Sequence, residues 1–162
     1  MGDGLANHWM KPSIAVPVLA SAFMSAQGSP DLEKTTRIAS RYTAAWCSQD
    51  AASVAAFFAP NGSLRVNDSA PAVGRGAITT VAQGFMTAFP DMQVLMDGVA
   101  IGDTGVVFRW TLVGTNTGPG GTGRPVNISG HEAWRLGADG LIEESLGHFD
   151  SEDYRRQLEG RQ

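Results

Sequence analysis

From Pro30 to Phe89 apolar residues recur at three- and four-residue spacing, and after Pro90 they alternate with polar ones, so a helical half precedes a strand-rich half. Leu32, Ile38, Tyr42, Ala45 and Trp46 predict a first long helix opening at Pro30, with Ser29 or Asp31 as its cap. Asp50 opens a short second helix through Val54, Phe57 and Phe58, ended by the turn signal Pro60-Asn61-Gly62. A short strand over 63–67 leads into a loop containing Pro71. Ile78, Val81, Ala82, Phe85 and Phe89 then mark the apolar face of a third helix over 76–89, stopped by Pro90-Asp91.

The remainder reads as four strands, 92–101, 106–115, 125–136 and 141–149, joined by turns and one Gly-rich connection, and this predicts an antiparallel meander. A last helix over 151–158 has Ser151 at its cap and acidic residues in its first turn, where the helix dipole favours them. Helices followed by sheet give an α+β domain over residues 31–162. Residues 1–30 form an extension. Its small apolar run 13–26, after Met10-Lys11, resembles the core of an export signal and is too short to span a bilayer. The other reading is a flexible or docked arm; the first implies an exported protein, the second a cytoplasmic one.

Charge narrows the function classes. With 12 Lys and Arg against 16 Asp and Glu, and no basic run, the chain carries no electrostatic footprint for nucleic acid. Its single cysteine, Cys47, excludes an intrachain disulfide and a cysteine metal cluster, and beside Trp46 it reads as a small core residue. The Gly-rich segment 118–123 lacks the Lys-Ser/Thr of a phosphate loop and joins two strands, so it reads as a flexible flap. No metal site and no cofactor site are expected.

The chemistry centres on Glu132. Along 126–136, Val126, Ile128, Gly130, Trp134 and Leu136 share its face, which places a carboxylate in the middle of an apolar surface. Arg109 shares a face with Val107, Thr111 and Val113, opposite Phe108, Trp110 and Leu112. Were the Arg109 side the interior, Glu132 and Arg109 would either form an ion pair or act together on a ligand, and the three large apolar residues would need the cover of a homodimer. Tyr42 and Trp46, four residues apart, line a pocket mouth or pack in an aromatic core. Asn67 and Asp68 are turn residues or the polar lip of a pocket. His148 and Asp150, two residues apart, read either as a catalytic or metal pair or, with no third ligand nearby in sequence, as capping or interface residues, and His131 is outward by parity.

Several short motifs occur in a particular order: Phe58-Ala59-Pro60, Gly74-Arg75-Gly76, Phe89-Pro90-Asp91, Gly114-Thr115-Asn116-Thr117-Gly118 with Gly123-Arg124, Trp134-Arg135-Leu136, and Asp139-Gly140-Leu141-Ile142-Glu143. Together they resemble the SnoaL-like polyketide cyclase group of the NTF2-like superfamily, over about 31–160. The resemblance implies an NTF2-like cone, a curved antiparallel sheet wrapped over N-terminal helices around a deep pocket, and often a homodimer through the outer face of the sheet. It does not imply one reaction, since the superfamily hosts several chemistries and non-catalytic binders. Asn116 stands where the cyclase group commonly has His. The two strand carboxylates of epoxide-hydrolase-like relatives correspond to Thr111 and Gly147. Against ketosteroid isomerases, Glu132 falls on the oxyanion-hole acid, while the base position falls near Val66 or Asn67, with Asp68 as the nearest carboxylate.

The implied reading is cofactor-free acid/base chemistry on an apolar carbonyl compound. Glu132 would be the acid/base, with Arg109 and Asn67 on the substrate oxygen. Tyr42, Trp46, Trp134 and Phe149 would form the wall, with Asp68, Thr111 and Ser145 at the site. The alternative is a non-catalytic ligand-binding or dimerisation module.

Overall fold

The computed structural model describes residues 30–161, so the leader-like run lies outside the described residues. In chain order the elements are α1 (Pro30–Cys47), α2 (Ala51–Ala55), β1 (Phe58–Val66), β2 (Ala72–Val73), α3 (Arg75–Ala88), β3 (Gln93–Gly102), β4 (Gly105–Thr115), β5 (Pro125–Leu136), β6 (Ile142–Phe149) and α4 (Ser151–Glu159). The fold is mixed α+β, with one curved sheet of six strands in the order β2-β1-β6-β5-β4-β3.

The alternating half of the sequence forms the meander β3 to β6, every neighbouring pair antiparallel. The early strand departs from expectation. Phe58 opens β1 rather than closing the second helix, which ends at Ala55, and β1 lies parallel to β6. The Pro60-Asn61-Gly62 turn signal is absorbed as a register shift between Phe58 and Ser63 inside β1. Gly62 fits there because a Cβ would stand 2.7 Å from the carbonyl oxygen of Ile142.

The core forms where α1 and α3 lay their apolar faces on the concave side of the sheet. Trp134, Tyr42, Phe58, Phe89 and Phe108 are its largest members, all with 2% exposure or less. Cys47 belongs to this packing: its Sγ accepts from the amide of Val94 at 3.2 Å, fastening the end of α1 to β3.

Two local readings change. Asp150, not Ser151, caps α4, its Oδ1 accepting from the amides of Glu152 and Asp153 at 3.0 Å each. The 118–123 connection is pinned rather than a free flap. The Asn116 side chain donates to the carbonyl of Ala88 at 3.2 Å and accepts from the Thr122 amide at 2.7 Å. Its backbone carbonyl accepts from Gly123 at 2.8 Å, and the Gly118 amide donates to Ala88 at 3.2 Å.

Candidate functional site

The β4–β5 register decides which residues face the interior. Phe108 stands opposite Glu132 and Arg109 opposite His131, and directly opposed residues in an antiparallel pair share a face. Glu132 is 6% exposed. Phe108, Trp110 and Leu112 accompany it on the concave side, and Arg109 is exposed on the convex one. The expectation of an inward Arg109 is therefore overturned, and with it the Glu132–Arg109 ion pair. The physical reason is that the larger apolar set on β4 goes to the core and the guanidinium stays in water. The case for a homodimer covering an outward Phe108, Trp110 and Leu112 goes with it.

A cleft opens between the helices and the concave face, with about 570 Å³ of empty space including its mouth. Its wall is apolar: Trp46 from α1, Phe85 from α3, Leu64 and Val66 from β1, Phe108, Trp110 and Leu112 from β4, Phe149 from β6. Among the described residues Glu132 is the one ionisable residue on that lining.

The Glu132 carboxyl is held on one side. Its Oε1 accepts from the Tyr42 hydroxyl at 2.9 Å and the Ser145 hydroxyl at 3.2 Å, both residues fully buried. Its Oε2 has no hydrogen-bond partner among the described residues and is not among their buried unsatisfied atoms, which leaves it open to the cleft. Burial pushes the carboxyl up to about 7 from an ordinary 4.5, against the opposing pull of the Tyr42, Ser145 and Trp134 donors. The Trp134 indole N–H lies close enough to favour the charged form, yet it forms no hydrogen bond of good geometry. Tyr42 is held neutral well above its usual range, first by burial and then by the charge of Glu132.

Two glycines make room. Gly130 faces Trp110 across the β4–β5 ladder, and a Cβ there would come within 2.6 Å of the Trp110 ring and 2.4 Å of the His148 carbonyl. Gly147, opposite Glu132 on β6, lines the cleft where a side chain would fill it.

Other expected site residues lie elsewhere. Asn67 adopts a left-handed φ of 50° and clamps β1 to β6: its Oδ1 accepts from the Phe149 amide at 2.9 Å and its own amide donates to Gly147 at 2.8 Å. That side chain is spent on backbone and does not line the cleft. Asp68 is fully exposed, 4.0 Å from Arg65. Thr111 is on the convex face, bonded to Asp97 at 2.5 Å and Ser129 at 2.7 Å. Trp134 stands behind the wall, stacked on Phe108 with ring centres 5.0 Å apart. Ser145 reaches Glu132 rather than open space. On the convex face His131 and His148 lie side by side, ring centres 5.1 Å apart, next to Arg109. Partial burial, then electrostatic interaction with His148 and Arg109, lowers the His131 pKa.

The sequence reading missed Leu64, Val66, Phe85 and Leu112 as lining residues. The signal was present in the alternation of β1 and β4 and in the apolar stripe of α3, but apolar side chains look alike in core and in cleft. Among the described residues no group of three His, Cys, Asp or Glu is placed to hold a metal ion, and no helix is long and apolar enough to cross a membrane.

The model of the SnoaL-like domain matches residues 39–145, from within α1 to the middle of β6, and includes Glu132 with both hydroxyl residues that hold it, Tyr42 and Ser145. The chain belongs to the SnoaL-like family. None of the curated proteins compared with it matches. This SnoaL-like chain is similar in fold to a SnoaL-like polyketide cyclase candidate from Jannaschia sp. CCS1, with TM-score 0.71 and 18% identity over 83% of this chain and 98% of that one. It is likewise similar to a Catenulispora acidiphila protein with a ketosteroid isomerase-like fold, solved in complex with trimethylamine, at TM-score 0.67 and 16% identity over 77% and 93% of the two chains. A third is AclR, a candidate hydroxylase from Streptomyces galilaeus, at TM-score 0.67 and 21% identity over 80% and 83%.

Proposed function

We propose that this SnoaL-like protein is a small-molecule enzyme using Glu132 for cofactor-free acid/base chemistry on an apolar carbonyl compound. The observation that carries the reading is the one-sided carboxyl: Oε1 is fixed by two hydroxyls while Oε2 opens to an apolar cleft. A carboxyl poised near 7 exchanges a proton with little driving-force penalty at neutral pH. Protonated, Oε2 donates to a substrate carbonyl; ionised, it accepts a proton from the adjacent carbon. Tyr42 and Ser145 position the carboxyl and do not reach the substrate. The apolar wall binds the hydrocarbon part of the substrate.

The test is exchange of α-hydrogens for deuterium in a panel of cyclic ketones, followed by NMR. Wild type is expected to accelerate exchange for at least one ketone, and Glu132→Gln to lose about 100-fold or more of that rate. Equal rates in the two proteins would remove Glu132 from the mechanism.

A second reading is a non-catalytic binding module. It is favoured by the absence, among the described residues, of a second ionisable group on the lining, since both neighbouring hydroxyls are already committed to Glu132. A homodimer through the convex face is what the family resemblance implies. That face carries Leu95, 52% exposed, beside the Arg109, His131 and His148 row, and sedimentation of the purified chain tests the assembly.

A further inference from the structure

Among the described residues the cleft's ionisable carboxyl has no counter-charge. Facing Glu132 are Tyr42 from α1, Ser145 and Gly147 from β6 and Phe108 from β4, none of which is cationic. Arg109, His131 and His148 are on the convex side of the sheet. An ionised carboxylate in such a place lacks the partner that would offset its desolvation. Around it stand Trp46, Phe85, Phe108, Trp110 and Phe149 on one cleft lining. Aromatic faces attract cations that carry alkyl groups, through the ring quadrupole as well as apolar contact.

We propose that the cleft binds a small alkylated ammonium ion, its N–H directed at Glu132 Oε2 and its alkyl groups against the aromatic walls. The inference rests on the cleft being the binding site and not on the carbonyl chemistry. It also gives the site a charge preference: cation first, neutral molecule second, carboxylate excluded. The ammonium ion would act as a competitor of a neutral substrate, because it stabilises the ionised form of the group that must be protonated to donate to a carbonyl.

Calorimetric titration of the full chain tests this with three probes of similar shape: N,N-dimethylcyclohexylamine, cyclohexyl methyl ketone and cyclohexanecarboxylate. The amine is protonated throughout the useful range, so its affinity follows the ionisation of Glu132. That affinity is expected to rise about tenfold from about pH 6 to about pH 8. Glu132→Gln is expected to lose the amine and keep the ketone, which also reports that the variant is folded. Amine affinity that is flat with pH, unchanged in Glu132→Gln, or matched by the carboxylate overturns the inference. Ketone binding without amine binding overturns it while leaving the acid/base reading intact. Amine binding with the expected dependences but no ketone binding upholds it and removes the carbonyl substrate class.

Discussion

Tyr42 in the first helix donates a hydrogen bond from its hydroxyl to Glu132 in the fifth strand, 90 residues on, across 2.9 Å in a fully buried setting. The ring is fixed before the hydroxyl is counted. Trp46, Phe57, Phe58, Phe108 and Trp134 all stand within 6.3 Å of it, centre to centre, at steep angles. The contact therefore joins helix to sheet and turns one carboxylate oxygen inward, which leaves the other for the cleft.

Tyr42→Phe keeps the ring and deletes the donor. Because that hydrogen bond favours the charged carboxylate, its loss moves the Glu132 pKa further above about 7. The expected outcome is a folded protein weakened by about 1 kcal/mol, with the carboxyl titration shifted to higher pH. Carbon-detected NMR of the Glu132 side chain reads the shift; a downward movement would contradict the assigned role.

The fold stability should carry the mark of the same carboxyl. Glu132 titrates near 7 when folded and near 4.5 as an ordinary carboxyl, so between those values the folded state holds the extra proton. Stability from this group is then greatest below the lower value, falls as pH rises through the window, and levels off above 7. Full loss corresponds to a difference of about 3 kcal/mol at most. Glu132→Gln lacks this slope, and denaturant midpoints of the two proteins across the window are expected to diverge as pH rises. Parallel curves would mean that Glu132 titrates like an exposed carboxyl.

The strand pattern made the meander and the inward Glu132 legible from sequence, because alternation over 126–136 allowed only one face for Val126, Ile128 and Trp134. It left β4 ambiguous. Val107 and Val113 on one face compete with Phe108, Trp110 and Leu112 on the other, and only the pairing of Phe108 with Glu132 resolves the choice. Asn67 is the turn residue that its type suggested and not a pocket lip, and its side chain serves a long-range backbone contact to Phe149 that no local pattern encodes. The parallel pairing of β1 with β6 is likewise non-local, and the Pro60-Asn61-Gly62 signal pointed to a turn that the strand accommodates as an irregularity.

Arg109→Ala gives the cleanest check on which face is inside. With the guanidinium exposed on the convex side, the substitution is expected to leave ketone affinity in the cleft within about twofold, less than 1 kcal/mol. Trp110→Ala, one residue on and on the lining, is expected to weaken it by about tenfold or more. Titration of one ketone against both variants decides the matter, and the opposite order would put Arg109 back in the site.

Gly147 sets the room beside the carboxyl. A methyl group added there would lie 3.8 Å from Glu132 Cγ, ordinary contact, and 3.3 Å from the Arg65 carbonyl, close enough that the strand must give by a few tenths of an ångström. Gly147→Ala should therefore fold while narrowing the cleft at its reactive end. Gly130→Ala contrasts with it, because its methyl group would collide at 2.4 Å with the His148 backbone and push against Trp110. That overpacking is expected to cost about 1–3 kcal/mol. In a graded series of cyclic ketones, Gly147→Ala should lose affinity for the larger rings first, with little change in the thermal midpoint. A uniform loss across ring sizes would mean that the ligand does not reach the floor of the cleft where Glu132 and Gly147 face one another.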